Sequence, residues 1–503
     1  MNIRNFTPRP YQESILNTCI HKNTLVCLPT GLGKTKVAIL LAIERIKKYP
    51  DTKAIILTPT RPLANQICNE FKECTTVDED KIILLTGAIS PSKREKIYEN
   101  AVIIIATPQT IQEDIENNRI NLQKFSALIV DEAHRSRENY ANTIVARHYK
   151  NLVPFGRIIA LTASPGSTKA KIDEICTNLS IESVEIRTET DEDVAKFVQN
   201  KDITYIHVEL PEKIREIHKL MKDLYLEKIG SIKTFIPYKP QSMINKLDLL
   251  NLQKYLQREI QNKNQAAFYG MSLVAQLLKL SHAIEMLETQ GLSSFNEFLK
   301  KLETETTKAS KSILSSSNTI KARSLTNILL SEGIEHPKIL KLKEITKTTL
   351  EEKKESKIII FTTYRNTVEI IVNLLNSEGI KTIKLVGQKE GLSQKEQIKA
   401  IEDFNSGLYS CLVTTSIGEE GIHIGEADMA IFYDNTPSSI RKIQRTGRVG
   451  RLKSGKVIFM ITKNTRDAAY HYKSRRDEKT MKEILYKMKE KNKVDDQKSL
   501  NQF

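Results

Sequence analysis

Apolar residues arrive in short blocks along the first third of the chain, at Thr24–Leu28, Ala54–Leu57, Ile82–Leu85, Val102–Ala106, Ala127–Val130 and Ile158–Leu161. The blocks are rich in Ile and Val and apolar at successive positions, the pattern of strands covered on both faces. Between the first two, Lys36–Tyr49 sets Val37, Leu40, Leu41 and Ile43 at the spacing of a helix packed on a sheet. Strand, helix, strand in repetition predicts a doubly wound, parallel α/β domain. The same texture returns at Lys357–Phe361, Thr382–Val386, Cys411–Thr414, Met429–Tyr433 and Val457–Ile461, and predicts a second such domain. The intervening stretch, from about Pro211 to Leu330, has helical periods instead: Ile214, Ile217, Met221 and Leu224 share a face, as do Leu273, Leu277, Leu280 and Ile284.

The expected fold is therefore α/β, two doubly wound parallel-sheet lobes with an all-helical insertion domain between them. Lobe 1 is expected over residues 1–204, the insertion over 205–335, lobe 2 over 336–480 and a basic C-terminal tail over 481–503. The Ser/Thr-rich piece Thr304–Thr319 has no steady period and predicts a loop, and the charged run Glu351–Ser356 a solvated turn. Beyond Lys479 a Lys-rich helix is expected to fray into a polar tail, Asn492–Phe503.

Composition narrows the function. A length of 503 residues suits about three domains. Hydrophobic residues at 40% and charged residues at 27% exclude a wholly disordered chain. No apolar run approaches the roughly 20 residues of a membrane-spanning helix. The opening MNIRNFTPRP has no signal-like core, so a cytoplasmic, nucleoid-associated protein is expected. Six scattered cysteines exclude a disulfide or zinc framework. The net charge of +16 points to a polyanion, most simply nucleic acid, although a solvated Lys-rich surface gives the same count.

Three motifs carry chemistry. The first is Pro29, Thr30, Gly31, Leu32, Gly33, Lys34, Thr35, between a predicted strand and a predicted helix. Glycines let backbone N–H groups curl around phosphate oxygens, and the helix N-terminus adds partial positive charge. Lys34 would reach the β- and γ-phosphates, and the Thr35 hydroxyl would ligate Mg²⁺. Leu28 occupies the place of the first glycine in the longer form of this loop, so the match is to the shorter GxGKT form. The second is Asp131, Glu132, Ala133, His134, directly after a buried strand, where ligands of parallel sheets gather. Asp131 would hold Mg²⁺ through water, and Glu132 would polarise the attacking water. The third is Gln444, Arg445, Thr446, Gly447, Arg448, Val449, Gly450, Arg451 in the second α/β region. Arg448 and Arg451 share a face on a helical turn, and guanidinium groups suit the charge that develops on a transferring phosphoryl group.

Together these strings resemble superfamily 2 nucleic-acid helicases of the DEAH kind, across nearly the whole chain. The resemblance implies two RecA-like lobes with ATP and Mg²⁺ between them, and Gln444, Arg448 and Arg451 as catalytic groups supplied by lobe 2. Arg9, Pro10, Tyr11, Gln12 resembles the adenine-reading element, with Gln12 the reader. Thr58 to Leu63 (including Arg61) and Ala106 to Thr110 (including Thr107 and Gln109) resemble the strand-gripping motifs of the first lobe. Thr363 and Thr414 stand in their second-lobe counterparts, and Gly421 in the stretch that follows, near the nucleotide. Hydroxyls and amides at such strand ends grip phosphates without reading bases. Thr162, Ala163, Ser164, with His134, resembles the element that couples hydrolysis to lobe movement.

A finer resemblance rests on Asp131 to Arg135 running on to Asn139, Tyr140, Ala141, on Leu161 to Ser167, on His282 to Gly291, and on His336, Pro337, Lys338. These are similar to the archaeal Hef family, kin of the Fanconi anaemia M protein. That family implies ATP-driven work on forked or branched DNA, with a thumb-like helical insertion that holds the branch. Hef proteins usually add an XPF-type nuclease, marked by ERKxxxD, and helix–hairpin–helix repeats; neither string appears, so a separate nuclease subunit or a sliding clamp is an expected partner. His423 stands where the family generally has Asp. Two other functions stay open at this point: a double-stranded-RNA-dependent ATPase, and a DNA-binding scaffold for a separate nuclease. Only contacts to the 2′-OH separate the two tracks.

Overall fold

The computed structural model describes residues 1–198, 201–387, 391–415, 427–435 and 455–500. Among them lie two parallel sheets. The first holds β1 (Thr24–Cys27), β2 (Lys53–Leu57), β3 (Ile82–Leu85), β4 (Ile103–Ala106), β5 (Phe125–Val130), β6 (Arg157–Thr162) and β7 (Ser183–Ile186), in the order β3-β4-β2-β5-β6-β1-β7. The second holds β8 (Lys201–Val208), β9 (Ile358–Phe361), β10 (Thr382–Leu385), β11 (Cys411–Thr414), β12 (Met429–Phe432) and β13 (Gly455–Thr462), in the order β10-β11-β9-β12-β13-β8.

Helices cover both faces of the first sheet, which explains its unbroken apolar blocks. Val26, Ile56, Ile105 and Ile129 enter one core, while their neighbours Leu25, Ile55, Ile104 and Leu128 enter the other. Neighbouring β5, β6 and β1 end at one edge of the sheet, so the loops after them emerge side by side. That adjacency positions everything described below.

The insertion is all-helical. Its helices are Glu212–Ile232, Lys246–Gln261, Gln265–Thr289, Leu292–Thr304, Lys308–Leu314 and Ser317–Ser331. Both predicted stripes are buried. Ile214, Ile217, Met221 and Leu224 meet Leu280 and Ile284 in one cluster, and Leu273 and Leu277 meet Leu249 and Leu256 in a second.

Three expectations are corrected. The loop expected over Thr304–Thr319 is instead mostly helical, because Thr307 accepts the Ser310 N–H as a cap and the small residues Ala309, Ser310 and Thr319 pack fully inside. The lobe boundary expected at 204 falls inside β8, which pairs from Lys201↔Gly455 to Val208↔Thr462 as the outer strand of the second sheet. The tail expected from 481 is the second half of one helix, Arg466–Leu500, whose Met481 and Leu485 are buried in a core of lobe 1.

A buried ionic cluster braces lobe 1. Asp114 is fully buried and accepts from the Tyr98 hydroxyl at 2.6 Å, while Arg94 and Arg119 lie 3.0 and 3.1 Å from its other oxygen. Burial, with the neighbouring Asp114 carboxylate, pushes the Tyr98 hydroxyl far above the usual phenol range. Asp114→Ala would leave the buried Arg94 charge with only the half-exposed Glu113 carboxylate, at 3.2 Å, and take the acceptor from the Tyr98 hydroxyl. The expected cost is about 3–5 kcal/mol, read as a lower urea midpoint at unchanged slope.

Lobe 2 contains a pH-sensitive cap. His336 Nδ1 accepts from Lys338 N–H at 3.2 Å, and burial, then the Lys338 charge, lower its pKa to about 3. The unfolded imidazole takes a proton near pH 6.5. Between those values the unfolded chain binds more protons, so this contribution is present above about pH 6.5 and fades on acidification, by up to about 1.4 kcal/mol per pH unit. Urea midpoints at pH 7 and 5 should diverge more in the wild type than in His336→Gln.

Candidate functional site

The phosphate loop leaves β1 beside β6, where Leu28 N–H donates to the Thr162 carbonyl at 3.1 Å. Gly31 and Gly33 take φ of +87° and +77°, and Gly33 caps the helix Lys34–Lys48. A Cβ on Gly33 would lie 2.6 Å from Gln12 Nε2, so close approach and left-handed backbone both require glycine there. Lys34 Nζ donates to the Leu28 carbonyl at 3.3 Å, folding the ammonium across its own loop. Pro29, Thr30 and Thr35 are partly exposed, while Leu32 is buried.

The N-terminal element is fastened to this loop. Gln12 Nε2 and the Tyr11 hydroxyl donate to the Leu32 carbonyl at 3.2 and 2.8 Å. Gln12 Oε1 accepts from Arg9 N–H at 2.9 Å, and the Arg9 guanidinium lies 4.8 Å from the Phe197 ring centroid. Sequence reasoning missed Tyr11 as a loop anchor.

Asp131 follows β5 and donates its N–H to the Leu57 carbonyl at 2.9 Å. Burial, then the neighbouring Glu132 carboxylate, raises its pKa to about 7 even though the Lys34 charge opposes the rise. Two acids crowded in a buried corner, with the Thr35 hydroxyl on the adjacent loop, offer the oxygen donors and excess negative charge that suit Mg²⁺. Glu132 itself holds φ +49°, a left-handed conformation that non-glycine residues adopt at a cost. Its Oε2 lies 3.3 Å from His134 Nδ1, which lies 3.4 Å from Thr162 Oγ1. Ser164 N–H donates to that same Thr162 oxygen at 3.1 Å. The acid pair and the Thr162–Ser164 element therefore share one polar chain.

The expected strand-gripping residues divide. Arg61 and Gln109 are exposed, and Gln109 Nε2 donates to the Tyr140 hydroxyl at 3.4 Å. Thr107 pairs with Thr110 through their hydroxyls at 2.8 Å. Thr58 and Thr414 are both fully buried, their hydroxyls donating to the Thr60 and Thr415 carbonyls. The Thr363 hydroxyl donates to Asp434 at 2.8 Å. Gly421, His423, Gln444, Arg448 and Arg451 lie outside the described residues.

The insertion adds surface that the periodicity did not flag. Tyr238, Tyr255, Phe268 and Tyr269 are each more than half exposed. Exposed Lys254, Arg258 and Lys263 stand close by in sequence, and this region as a whole holds 18 basic against 11 acidic residues over 211–330. Rings interleaved with cations suit stacked bases and phosphates.

Three family models match. Residues 9–172 match the DEAD/DEAH box helicase, 338–453 the helicase conserved C-terminal domain, and 212–329 the family described as "Putative ATP-dependent RNA helicase, helical bundle". The crystal structure of the Pyrococcus furiosus Hef helicase domain is similar at a TM-score of 0.72 and 41% identity, over 93% of this chain and 98% of that one. The "Putative ATP-dependent RNA helicase MJ1505" of Methanocaldococcus jannaschii is 42% identical over 95% of this chain and 61% of its own length. The ATP-dependent DNA helicase mph1 of Neurospora crassa is 31% identical over 92% of this chain and 42% of its own. This chain thus spans about half the length of these two curated relatives.

Proposed function

The chain belongs to the Hef helicase family, and from that premise we propose that it is an ATP-driven motor that moves along DNA and works at forked or branched junctions. The observation that carries the reading is the continuous path from Glu132 of the acid pair through His134 and Thr162 to Ser164, beside the phosphate loop. A site that only bound nucleotide would not need its acids wired to the loop that follows a neighbouring strand.

In this reading the backbone amides of Gly31 to Lys34 and the Lys34 ammonium cradle the triphosphate, and Gln12 and Arg9 hold the base. Thr35 and Asp131 hold Mg²⁺, which neutralises phosphate charge when bound. Glu132 orients the attacking water and accepts its proton. Gln444, Arg448 and Arg451 complete the site from lobe 2. Arg61, Thr107 and Gln109 hold one strand by its phosphates, and the ring-studded insertion holds the branch. A separate nuclease or a sliding clamp is a fitting partner at such a junction, on the nucleoid.

An RNA track is the second reading, and the two relatives' names divide on this point: RNA for the Methanocaldococcus protein, DNA for the Neurospora one. The deciding experiment is ATP turnover and strand separation on single-stranded, duplex, forked and four-way DNA beside matching RNAs. Strongest stimulation by forked DNA supports the proposal, and stimulation by duplex RNA alone overturns it. Binding without strand separation turns the protein into a scaffold.

A further inference from the structure

We infer that Met481 is a positioning residue for Ser164, making the C-terminal helix the rod through which lobe 2 senses the nucleotide site of lobe 1. The inference deepens, and rests on, the motor reading above.

The helix Arg466–Leu500 touches all three domains. At its start, the fully buried Asp467 accepts from Thr462 N–H and Asn435 N–H in lobe 2 and pairs with the equally buried Lys338 at 2.6 Å. One turn on, His471 packs edge-on against Tyr205 of β8 and Phe459 of β13. Arg466 reaches sideways to the insertion, its guanidinium donating to Ser281 at 2.7 and 2.8 Å and its backbone N–H donating to the Glu288 carboxylate at 3.0 Å.

Its second half is seated in lobe 1. Met481 and Leu485 are buried there, the Tyr486 hydroxyl bonds Asp191 at 2.8 Å, and Lys489 pairs with Glu185 at 3.0 Å. Between the two seats the helix forms one wall of a cavity of about 400 Å³. Thr30 of the phosphate loop and Ala163 line the same cavity, as do Arg475, Lys479 and Lys482 of the helix. The phosphate loop and the helix thus border one cavity, and Cys27, the last residue of β1 before that loop, shares a buried core with Met481 and Leu485.

The direct link is one hydrogen bond. Ser164 Oγ donates to Met481 Sδ at 2.9 Å, both groups being buried. With the contacts given above, it completes a chain from Glu132 through His134, Thr162 and Ser164 to Met481. A thioether is a weak acceptor and a flexible packer, so it can follow a hydroxyl through small shifts while its body stays in the core. A rod anchored in lobe 2 and tipped into this chain converts displacement of Ser164 into a change of lobe angle.

The test uses the full chain and two readouts. Hydrogen exchange is followed over residues 466–490 with and without a non-hydrolysable ATP analogue, in wild type, Met481→Leu and Met481→Gln. Met481→Leu keeps the packing and loses the acceptor, whereas Met481→Gln keeps an acceptor at similar reach. Expected is a nucleotide-dependent change in protection that Met481→Leu loses and Met481→Gln restores, at unchanged analogue affinity. In parallel, strands separated per ATP consumed on forked DNA should fall roughly 3- to 10-fold in Met481→Leu and recover in Met481→Gln. A wild-type helix indifferent to the analogue, or a Met481→Leu protein with both readouts intact, overturns the inference. Nucleotide-sensitive protection in a wild type that DNA does not stimulate leaves it standing and removes the motor reading instead.

Discussion

ATP turnover with DNA present should fall by about 10²- to 10³-fold in Glu132→Gln, the scale of removing one preorganised catalytic group. Nucleotide binding should survive, because in the proposed mechanism Glu132 acts on water and is not one of the groups that hold the triphosphate. Its left-handed backbone supports this division: the chain keeps a carboxylate in a conformation that costs energy, directly beside His134. Lys34→Ala should differ in kind. The ammonium that now rests on the Leu28 carbonyl would be missing from the cradle, so affinity and turnover should fall together. Steady-state hydrolysis, with binding of a fluorescent ATP analogue, separates the two patterns. Normal turnover in both variants would remove Lys34 and Glu132 from the mechanism.

Asp131→Asn should move stability and activity in opposite directions. The folded pKa of Asp131 lies above its unfolded value, so the folded chain prefers the protonated form. Above the unfolded value near 3.9 the unfolded chain has already lost this proton, and ionising the buried group at rising pH costs the fold. The penalty is therefore absent in acid and complete above about pH 7 when no metal is bound. A neutral amide of the same shape removes it. In metal-free buffer at pH 8, Asp131→Asn should melt about 2 °C or more above wild type, on the order of 1 kcal/mol for a domain of this size. The gain should shrink at pH 5. Turnover should collapse, and stabilisation by Mg²⁺ with nucleotide should be far weaker than in wild type. Thermal melts with and without Mg²⁺ and nucleotide check both halves.

Much of this architecture was readable because its strands are covered on both faces. Ile55, Ile104 and Leu128 are all fully buried, and nothing alternates to blur the signal. The placement of the glycine-rich loop and the acid pair was readable for a different reason: each directly follows a buried strand, and the structure puts both at strand ends of the first sheet. Edges were harder. β8 mixes Ile203, Tyr205, Ile206 and Val208 with Asp202, Thr204 and His207 and is only partly covered, so the expected domain boundary at 204 cuts through it. Thr58 and Thr414 carry the right residue type in the right motifs, and only coordinates reveal that their hydroxyls turn inward. Ser and Thr around 304–319 suggested a loop because composition ignores capping, and Thr307 supplies a cap. The C-terminal helix is strongly basic, and its buried stripe reduces to Met481 and Leu485, with Ile484 and Met488 beside them. Met481, Ile484, Leu485 and Met488 stand at i, i+3, i+4 and i+7, the spacing of one helix face, but the surrounding lysines make the segment read as a solvated tail, and only coordinates reveal that this face is seated on the other lobe.

The early placement of β8 carries a consequence for biogenesis. Its partner strand, β13, begins at Gly455, almost 250 residues after β8 ends at Val208. At ribosomal speeds of about 5–20 residues per second, β8 waits on the order of 10–50 s before that ladder can form. During that interval the seven strands of the first sheet have all been made and the helical bundle follows them, while β8 between the two is without its partner strand and open to any passing sheet edge. The partly exposed Lys201–Val208 segment is thus the point at which a nascent chain of this family most needs a chaperone, and a fragment begun after it would leave β13 as a bare, apolar edge.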